Sequence, residues 1–132
     1  MNYLLDTHSF LWAVFSPEKL SRVARAAITD QTNEVSLSSI SLWEISLKFA
    51  LGKLTLDQCT PEDLVAVARE MRLTLITPDA EESASFHQLP KTPHRDPFDR
   101  MLVWQAIARD LTLISKDAAL PEYHHAGLKI LW

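Results

Sequence analysis

Short apolar runs alternate along this chain with longer segments in which apolar residues recur at helical spacing. Strands separated by helices are typical of a parallel sheet whose two faces are covered. The pattern therefore predicts an α/β fold, a three-layer α/β/α sandwich with a mainly parallel central sheet, formed by residues 1–132 as one domain. The runs predict strands at 2–6, 34–37, 73–76, 111–115 and 128–131. The longer segments predict helices at 8–15, 19–31, 39–51, 61–71, 80–88 and 97–110, with a helical turn at 117–121.

Carboxylates stand at the boundaries of several predicted elements. Asp6 and Asp117 each follow a strand, and the carboxyl ends of parallel strands are where binding sites form in such sheets. Glu44 interrupts the apolar line of one helix, and Asp99 lies on the apolar side of another. Acids gathered in one place are costly unless a cation neutralises them, and oxygen ligands favour Mg²⁺ or Mn²⁺. The placement predicts a divalent metal centre.

Helix capping offers a structural explanation for some of these acids. Asp6, or Thr7 after it, could cap the helix that follows the first strand. Asp96 before Pro97 matches the usual start of a helix, so we interpret Asp96 as a cap. Asp99 then falls in the first turn, and we assign it the functional role.

Glu44 and Asp117 have structural alternatives as well. Glu44 could form a capping box with Ser41, or an ion pair with Lys48 one helical turn later. Asp117 opens the predicted turn and could cap it. Each acid alone therefore leaves a structural and a functional interpretation open.

Composition narrows the possible functions. The 132 residues have 47% hydrophobic and 23% charged content, typical of a soluble globular protein, and no apolar run predicts a membrane span. The net charge of -4 is unlike that of a protein that coats nucleic acid. The two glycines cannot form a phosphate-binding glycine loop, and zinc and serine-hydrolase motifs are absent. The single cysteine, Cys59, and the lack of a signal peptide predict a cytoplasmic protein.

The order and spacing of several motifs resemble a PIN domain, and specifically a VapC-type ribonuclease toxin of a bacterial toxin–antitoxin pair. The resemblance covers nearly the whole chain. Its stretches are Leu4-Leu5-Asp6-Thr7-His8 with Leu11-Trp12, Ser38 to Ile45 with Lys48, Gly52-Lys53-Leu54, Leu89-Pro90, His94 to Leu102, Leu113 to Asp117, and the end from Tyr123 to Trp132.

This resemblance implies an endoribonuclease that depends on Mg²⁺ or Mn²⁺ and inhibits translation by cutting RNA. By position, its metal-binding and catalytic acids are Asp6, Glu44, Asp99 and Asp117. We expect Asp6 and Asp99 to be direct ligands. The other two acids would bind a second ion, contact metal waters or orient the attacking water. Partners implied by the resemblance are the RNA, a VapB-type antitoxin docked on helices near 8–31 and 39–52, and a second copy of the chain in a homodimer.

Hydroxyl and basic side chains beside the acids are the candidate substrate contacts. Ser115 stands where the family usually has threonine and would position water or phosphate. Arg100 directly follows Asp99 and is our preferred phosphate contact among the basic residues. The remaining candidates are Thr7, Arg95, Lys48 and Lys116.

Two other function classes fit parts of the pattern. One is a catalytically silent PIN-type module that binds RNA or protein, although an inert relative would be free to lose the four acids. The other is a phosphoacceptor signalling domain, which also combines acids with a hydroxyl and a lysine. Such a domain would have paired acids after its first strand, where this chain has Asp6-Thr7-His8.

Overall fold

The computed structural model describes residues 1–93 and 96–132, and five parallel strands form one sheet in that part of the chain. The order across the sheet is third, second, first, fourth and fifth strand, so the first strand is central. All four pairings between neighbours are parallel. The strands are β1 (Asn2–Leu5), β2 (Glu34–Ser38), β3 (Thr74–Ile76), β4 (Thr112–Ile114) and β5 (Lys129–Leu131).

Helices connect the strands and cover both faces of the sheet. The α-helices are α1 (Thr7–Phe15), α2 (Arg22–Thr29), α3 (Ser39–Ala50), α4 (Asp63–Glu70), α5 (Ala80–Ser85) and α6 (Pro97–Ala108). Short 3-10 helices span Pro17–Lys19, Phe86–Gln88 and Leu120–Ala126. Within the described ranges, none of these helices is long and apolar enough to cross a membrane.

Two helix predictions were wrong at their boundaries. The helix predicted at 19–31 begins only at Arg22, because Pro17 opens a separate 3-10 turn and the Ser21 side chain accepts from the Ala24 amide as an N-cap. The turn predicted at 117–121 is instead a 3-10 helix that begins at Leu120.

The core has two parts, one on each face of the sheet. Neighbouring strand residues point to opposite faces, so Leu5 packs with Phe10 and Leu37 in one cluster. Leu4 packs with Leu102 and other residues of α6 in the second. This division is that of a three-layer sandwich, and it confirms the predicted fold class.

Polar side chains at two places join α6 to distant segments of the chain. The Ser38 hydroxyl donates to Gln105 Oε1 at 2.6 Å, which ties the end of β2 to α6. Arg109, which follows α6, donates from Nε and Nη2 to the two carboxylate oxygens of Glu82 at 2.7 and 2.6 Å. Its Nη2 also donates to the Thr77 carbonyl at 2.7 Å. Arg109 therefore fastens the end of α6 to α5 and to the loop before it.

Candidate active site

Three of the four predicted acids line one open pocket at the carboxyl end of the sheet. β1 and β4 are neighbours, and the Asp6 amide donates to the Ile114 carbonyl at 3.2 Å. Asp99 comes to the same place from the first turn of α6. The pocket has a volume of about 410 Å³ and is lined by Asp6, His8, Trp12, Asp99, Lys116 and Asp117. The parallel topology thus gathers carboxylates from three separate regions of the sequence.

Asp6 is nearly buried and serves as the N-cap of α1. One of its oxygens accepts from the Ser9 amide at 2.8 Å, so the capping interpretation is confirmed. Burial raises the pKa of the Asp6 carboxyl, while hydrogen bonds from Ser115 and Ser9 act in the opposite direction. Asp6 is therefore a carboxylate that a nearby cation would stabilise.

Glu44 lies beside this pocket but is held by other side chains. Only 2% of it is exposed. Its Oε1 accepts from the Thr7 hydroxyl at 2.6 Å, and its Oε2 forms an ion pair with Lys48, as one of the two structural alternatives predicted. The capping box with Ser41 is wrong, since the side chain of Ser38 caps α3. Glu44 is not among the side chains that line the described pocket.

The first turn of α6 separates the roles of its two acids. Asp96 Oδ1 accepts from the amides of Phe98 and Asp99 at 2.9 and 3.3 Å, which confirms Asp96 as the N-cap. Pro97 occupies the first helical position, where its missing N–H costs nothing. Asp96 directs a side-chain oxygen at the helix backbone, whereas Asp99 lines the pocket.

Removal of the Asp96 cap should lower stability. We expect Asp96→Ala to decrease the free energy of unfolding by about 1 kcal/mol, because two amides of the first turn lose their acceptor. Urea denaturation followed by circular dichroism measures the change. Asp96→Asn retains a capping oxygen and is the matched control. An alanine variant as stable as the wild type would contradict the assignment of the cap.

Ser115 and Asp117 organise the segment after β4. Ser115 is 1% exposed, and its hydroxyl accepts from the Asp117 amide at 3.1 Å. Asp117 Oδ1 accepts from the Ala119 amide at 2.9 Å in a local turn, but Asp117 does not cap the following 3-10 helix, whose N-cap position is Ala119, so the capping alternative is wrong. Ser115 thus fixes the backbone at one of the pocket acids.

The basic candidates separate into two groups. Lys116 lines the pocket. The Arg100 guanidinium donates to the Tyr123 hydroxyl at 3.0 Å and to the Pro90 carbonyl at 3.2 Å, and it lies 5.5 Å from the centre of the Phe86 ring. These contacts hold the Arg100 side chain against Phe86, Pro90 and Tyr123. Its role as a phosphate contact stays a prediction. Arg95 lies outside the described residues.

Two aromatic side chains complete the wall of the pocket. The His8 and Trp12 rings are 5.9 Å apart, and Trp12 is 5.8 Å from Trp132 at the end of β5. Sequence reasoning did not assign His8 to the site. The available signal was its helical position, one turn before Trp12 and just after the capping acid.

Similarity to known proteins identifies the family. The sequence model described as PIN domain matches residues 3–125. The chain belongs to the PIN domain family. This PIN domain is 29% identical over 129 residues to Ribonuclease VapC22 of Mycobacterium tuberculosis, covering 98% of this chain and 97% of that protein. The family expected from the motifs is thereby confirmed.

Solved structures show the same fold. This PIN domain superposes with a TM-score of 0.69 and 17% identity on a chain of VapBC2 from Rickettsia felis bound to a promoter DNA fragment, covering 99% of this chain and 98% of that chain. The TM-score is 0.65, with 21% identity, for a chain of DNA-bound VapBC from Salmonella typhimurium, covering 99% and 97%.

Proposed function

We propose that this PIN domain is a metal-dependent endoribonuclease and the toxin of a toxin–antitoxin pair, which inhibits translation by cutting RNA. The observation that carries the proposal is the convergence of Asp6, Asp99 and Asp117 on one pocket. The 29% identity to a ribonuclease over nearly the whole chain supports the choice of substrate class. A protein that cuts cellular RNA would act in the cytoplasm.

The side chains of the pocket fit a hard divalent ion. Among residues 1–93 and 96–132, no three histidine, cysteine, aspartate or glutamate side chains form a ready-made metal cluster. Mg²⁺ commonly keeps several waters and uses only one or two carboxylates together with substrate phosphate, so a full cage of protein ligands is not required. The acids of the pocket are all aspartates, and burial raises the pKa of Asp6. Both features suit Mg²⁺ or Mn²⁺.

We assign the acids different tasks around such an ion. Asp6 and Asp99 would hold it, and the bound ion would supply stabilisation of negative charge on the phosphate. Asp117 would orient the attacking water. Ser115 would favour the charged form of Asp6, because its hydroxyl acts against the rise that burial causes in the pKa of Asp6. Glu44 is the fourth acid of the motif. It would act through Thr7, whose hydroxyl donates a hydrogen bond to it.

Contacts to the RNA would come from basic and hydroxyl side chains close in sequence to the acids. Lys116 is placed to meet a phosphate beside the three aspartates. Arg95 and Arg100 precede and follow the N-cap of α6, and Thr7 and Ser115 flank Asp6. These four residues are the further substrate contacts that we propose. Phosphate contacts of this kind orient a nucleic acid without selecting its sequence.

Exposed apolar side chains on the first three helices support protein partners. Trp43 is 61% exposed, Leu51 59% and Val23 52%. Exposed large apolar side chains are common at protein interfaces. A VapB-type antitoxin docked on α1, α2 and α3, and a second copy of the chain, are the partners that we propose for this surface.

The decisive experiment is end-sequencing of total bacterial RNA after incubation with the purified chain. The reactions contain Mn²⁺, EDTA, or Mn²⁺ with the Asp99→Asn variant. New ends at defined positions that require both the metal and Asp99 would establish the activity and name the RNA. Metal-independent ends, or ends also formed by the variant, would contradict the proposal. A silent RNA-binding module would bind RNA without producing ends.

Metal binding should weaken as the pH falls. Protons compete with the ion for carboxylates, and burial raises the pKa of Asp6, so this competition begins at a higher pH than for an ordinary aspartate. We expect Mn²⁺ affinity to fall steadily from about pH 7.5 to about pH 5. Calorimetric titrations across this range measure the effect. An affinity independent of pH would exclude Asp6 as a ligand.

A further inference from the structure

The fourth acid of the motif already has a cation. Glu44 has a side chain that is 3% exposed, and the ammonium group of Lys48 is its ion-pair partner one turn later in α3. Its other oxygen accepts from Thr7 at 2.6 Å, and Thr7 lies 3.0 Å from the Ser41 hydroxyl. A buried carboxylate needs compensation for its charge, and here the protein supplies it from its own chain.

Lys48 is partly exposed in the last turn of α3, and the acids at the start of α6 act on its charge. Its side chain is 38% exposed, so the ammonium lies at the boundary between Glu44 and solvent. The hydrogen bond to Glu44 is the main reason that the pKa of Lys48 is raised, and the charges of Asp96 and Asp99 contribute as well. Helix α3 is held beside the start of α6 by the Trp43 ring, whose edge meets Phe98 at 5.2 Å between centroids. The charges at the start of α6 thus favour the protonated, positively charged form of Lys48.

We propose that Lys48 is a positioning residue that acts as a resident cation, neutralising Glu44 so that the acidic centre takes one divalent ion instead of two. This inference rests on the proposed metal dependence. The one ion would be held by aspartates of the pocket. A second ion near Glu44 would have to displace the Lys48 ammonium or bind close to it against electrostatic repulsion. Glu44 would then orient Thr7 and would not contact the metal.

The number of bound ions tests the proposal without any activity measurement. Mn²⁺ titrations by calorimetry give the stoichiometry, and electron paramagnetic resonance distinguishes isolated Mn²⁺ ions from coupled pairs. We expect the full wild-type chain to bind one Mn²⁺ with an uncoupled spectrum. Lys48→Met should bind two, with a coupled spectrum, because Glu44 is released as a ligand. Two ions in the wild type, or one in this variant, would overturn the proposal.

A matched control separates the role of Lys48 from a general change in charge. Lys116 lines the same pocket and has the same charge but is not the partner of Glu44. Lys116→Met should therefore change Mn²⁺ affinity while the stoichiometry stays at one. If Lys116→Met also binds a second ion, any loss of positive charge is sufficient and the specific role of Lys48 is refuted.

A second variant keeps the proposal testable if Lys48→Met does not fold. Glu44→Gln combined with Lys48→Met removes both charges and leaves no unpaired buried ion. We expect this double variant to bind one Mn²⁺ within about threefold of the wild-type affinity, since neither side chain contacts that ion. A loss of about a hundredfold would identify Glu44 as a direct ligand and overturn the inference.

The outcome can be separated from that of the proposed ribonuclease function. One ion in the wild type and two in Lys48→Met, without RNA cleavage, would support the role of Lys48 and count against the enzyme. RNA cleavage together with two bound ions in the wild type would support the enzyme and count against the role of Lys48. Failure of the wild type to bind any Mn²⁺ would overturn both the metal-dependent mechanism and the role of Lys48.

Discussion

Replacement of Asp99 by asparagine is expected to reduce RNA cleavage by at least about a thousandfold, which corresponds to about 4 kcal/mol of lost transition-state stabilisation. Asparagine is isosteric but lacks the charge that a divalent ion requires at this position of the pocket. Asp99 lies in the first turn of α6, where its amide donates to Asp96. That hydrogen bond involves the backbone, so the substitution leaves it in place. Fragment release from a fluorescent RNA, carrying a site found by end-sequencing, measures the change in rate.

Asp6→Asn should reduce RNA cleavage by a similar factor, because Asp6 and Asp99 line the same pocket. Asp110→Asn is the matched control: Asp110 has a left-handed φ of 54°, which asparagine tolerates, and its side chain is 87% exposed. Unchanged thermal unfolding would show that all three variants fold. Cleavage at the wild-type rate by Asp99→Asn in Mg²⁺ would remove Asp99 from the metal centre.

The largest effect on stability is expected at Arg109. Arg109→Met keeps much of the side chain's apolar bulk but leaves Glu82, which is only 7% exposed, without its bidentate partner. Breaking such a pair destabilises the folded protein more than forming the pair stabilises it, because a buried charge is left without a partner of opposite sign. We expect a loss of about 3 kcal/mol in the free energy of unfolding, measured in urea.

Two further variants identify the cause of that loss. Glu82→Gln combined with Arg109→Met should be more stable than Arg109→Met alone, since no unpaired charge remains. Lys129→Met removes a lysine whose partner Asp110 is exposed, and it should change stability by no more than about 0.5 kcal/mol. Equal losses in Arg109→Met and the double variant would show that the charge of Glu82 is not the cause.

The contribution of this pair should depend on pH in a defined direction. The hydrogen bond from Arg109 lowers the pKa of Glu82 in the folded protein. The resulting stabilisation is fully present above the unfolded value of about 4.3 and is lost as the pH falls through the lower, folded pKa. The stability difference between the wild type and Arg109→Met should therefore shrink as the pH falls, and it should begin to shrink above the unfolded value, because burial without Arg109 favours the protonated form of Glu82.

The alternation of elements was predictable from the sequence because strand and helix periods depend on neighbouring residues. Apolar runs such as the one that ends at Leu5 predicted strands close to their observed bounds. Asp96-Pro97 predicted the start of α6 because capping is a local interaction. The start of α2 was missed, since the choice between Lys19 and Ser21 depends on the preceding 3-10 turn at Pro17.

Which acids meet was only partly predictable. The ends of parallel strands placed Asp6 near Asp117 in advance, because that rule needs no side-chain detail. The sequence could not decide whether Ser41 or Lys48 is the hydrogen-bonding partner of Glu44. One partner, Lys48, is a turn away, but the other, Thr7, comes from a different helix and reaches Glu44 only when α1 and α3 pack side by side.

The sequence by itself determined the layered α/β fold and the family and predicted which acids form the site, because hydrophobic period, capping signals and motif spacing are all encoded along the chain. The tertiary structure alone decided which groups surround those acids. It brings three aspartates into one pocket, pairs Glu44 with Lys48 and turns Arg100 toward Tyr123. The reason is physical: the partner of a charged side chain depends on which groups lie within a few ångströms in the folded state, and packing of distant segments sets those distances.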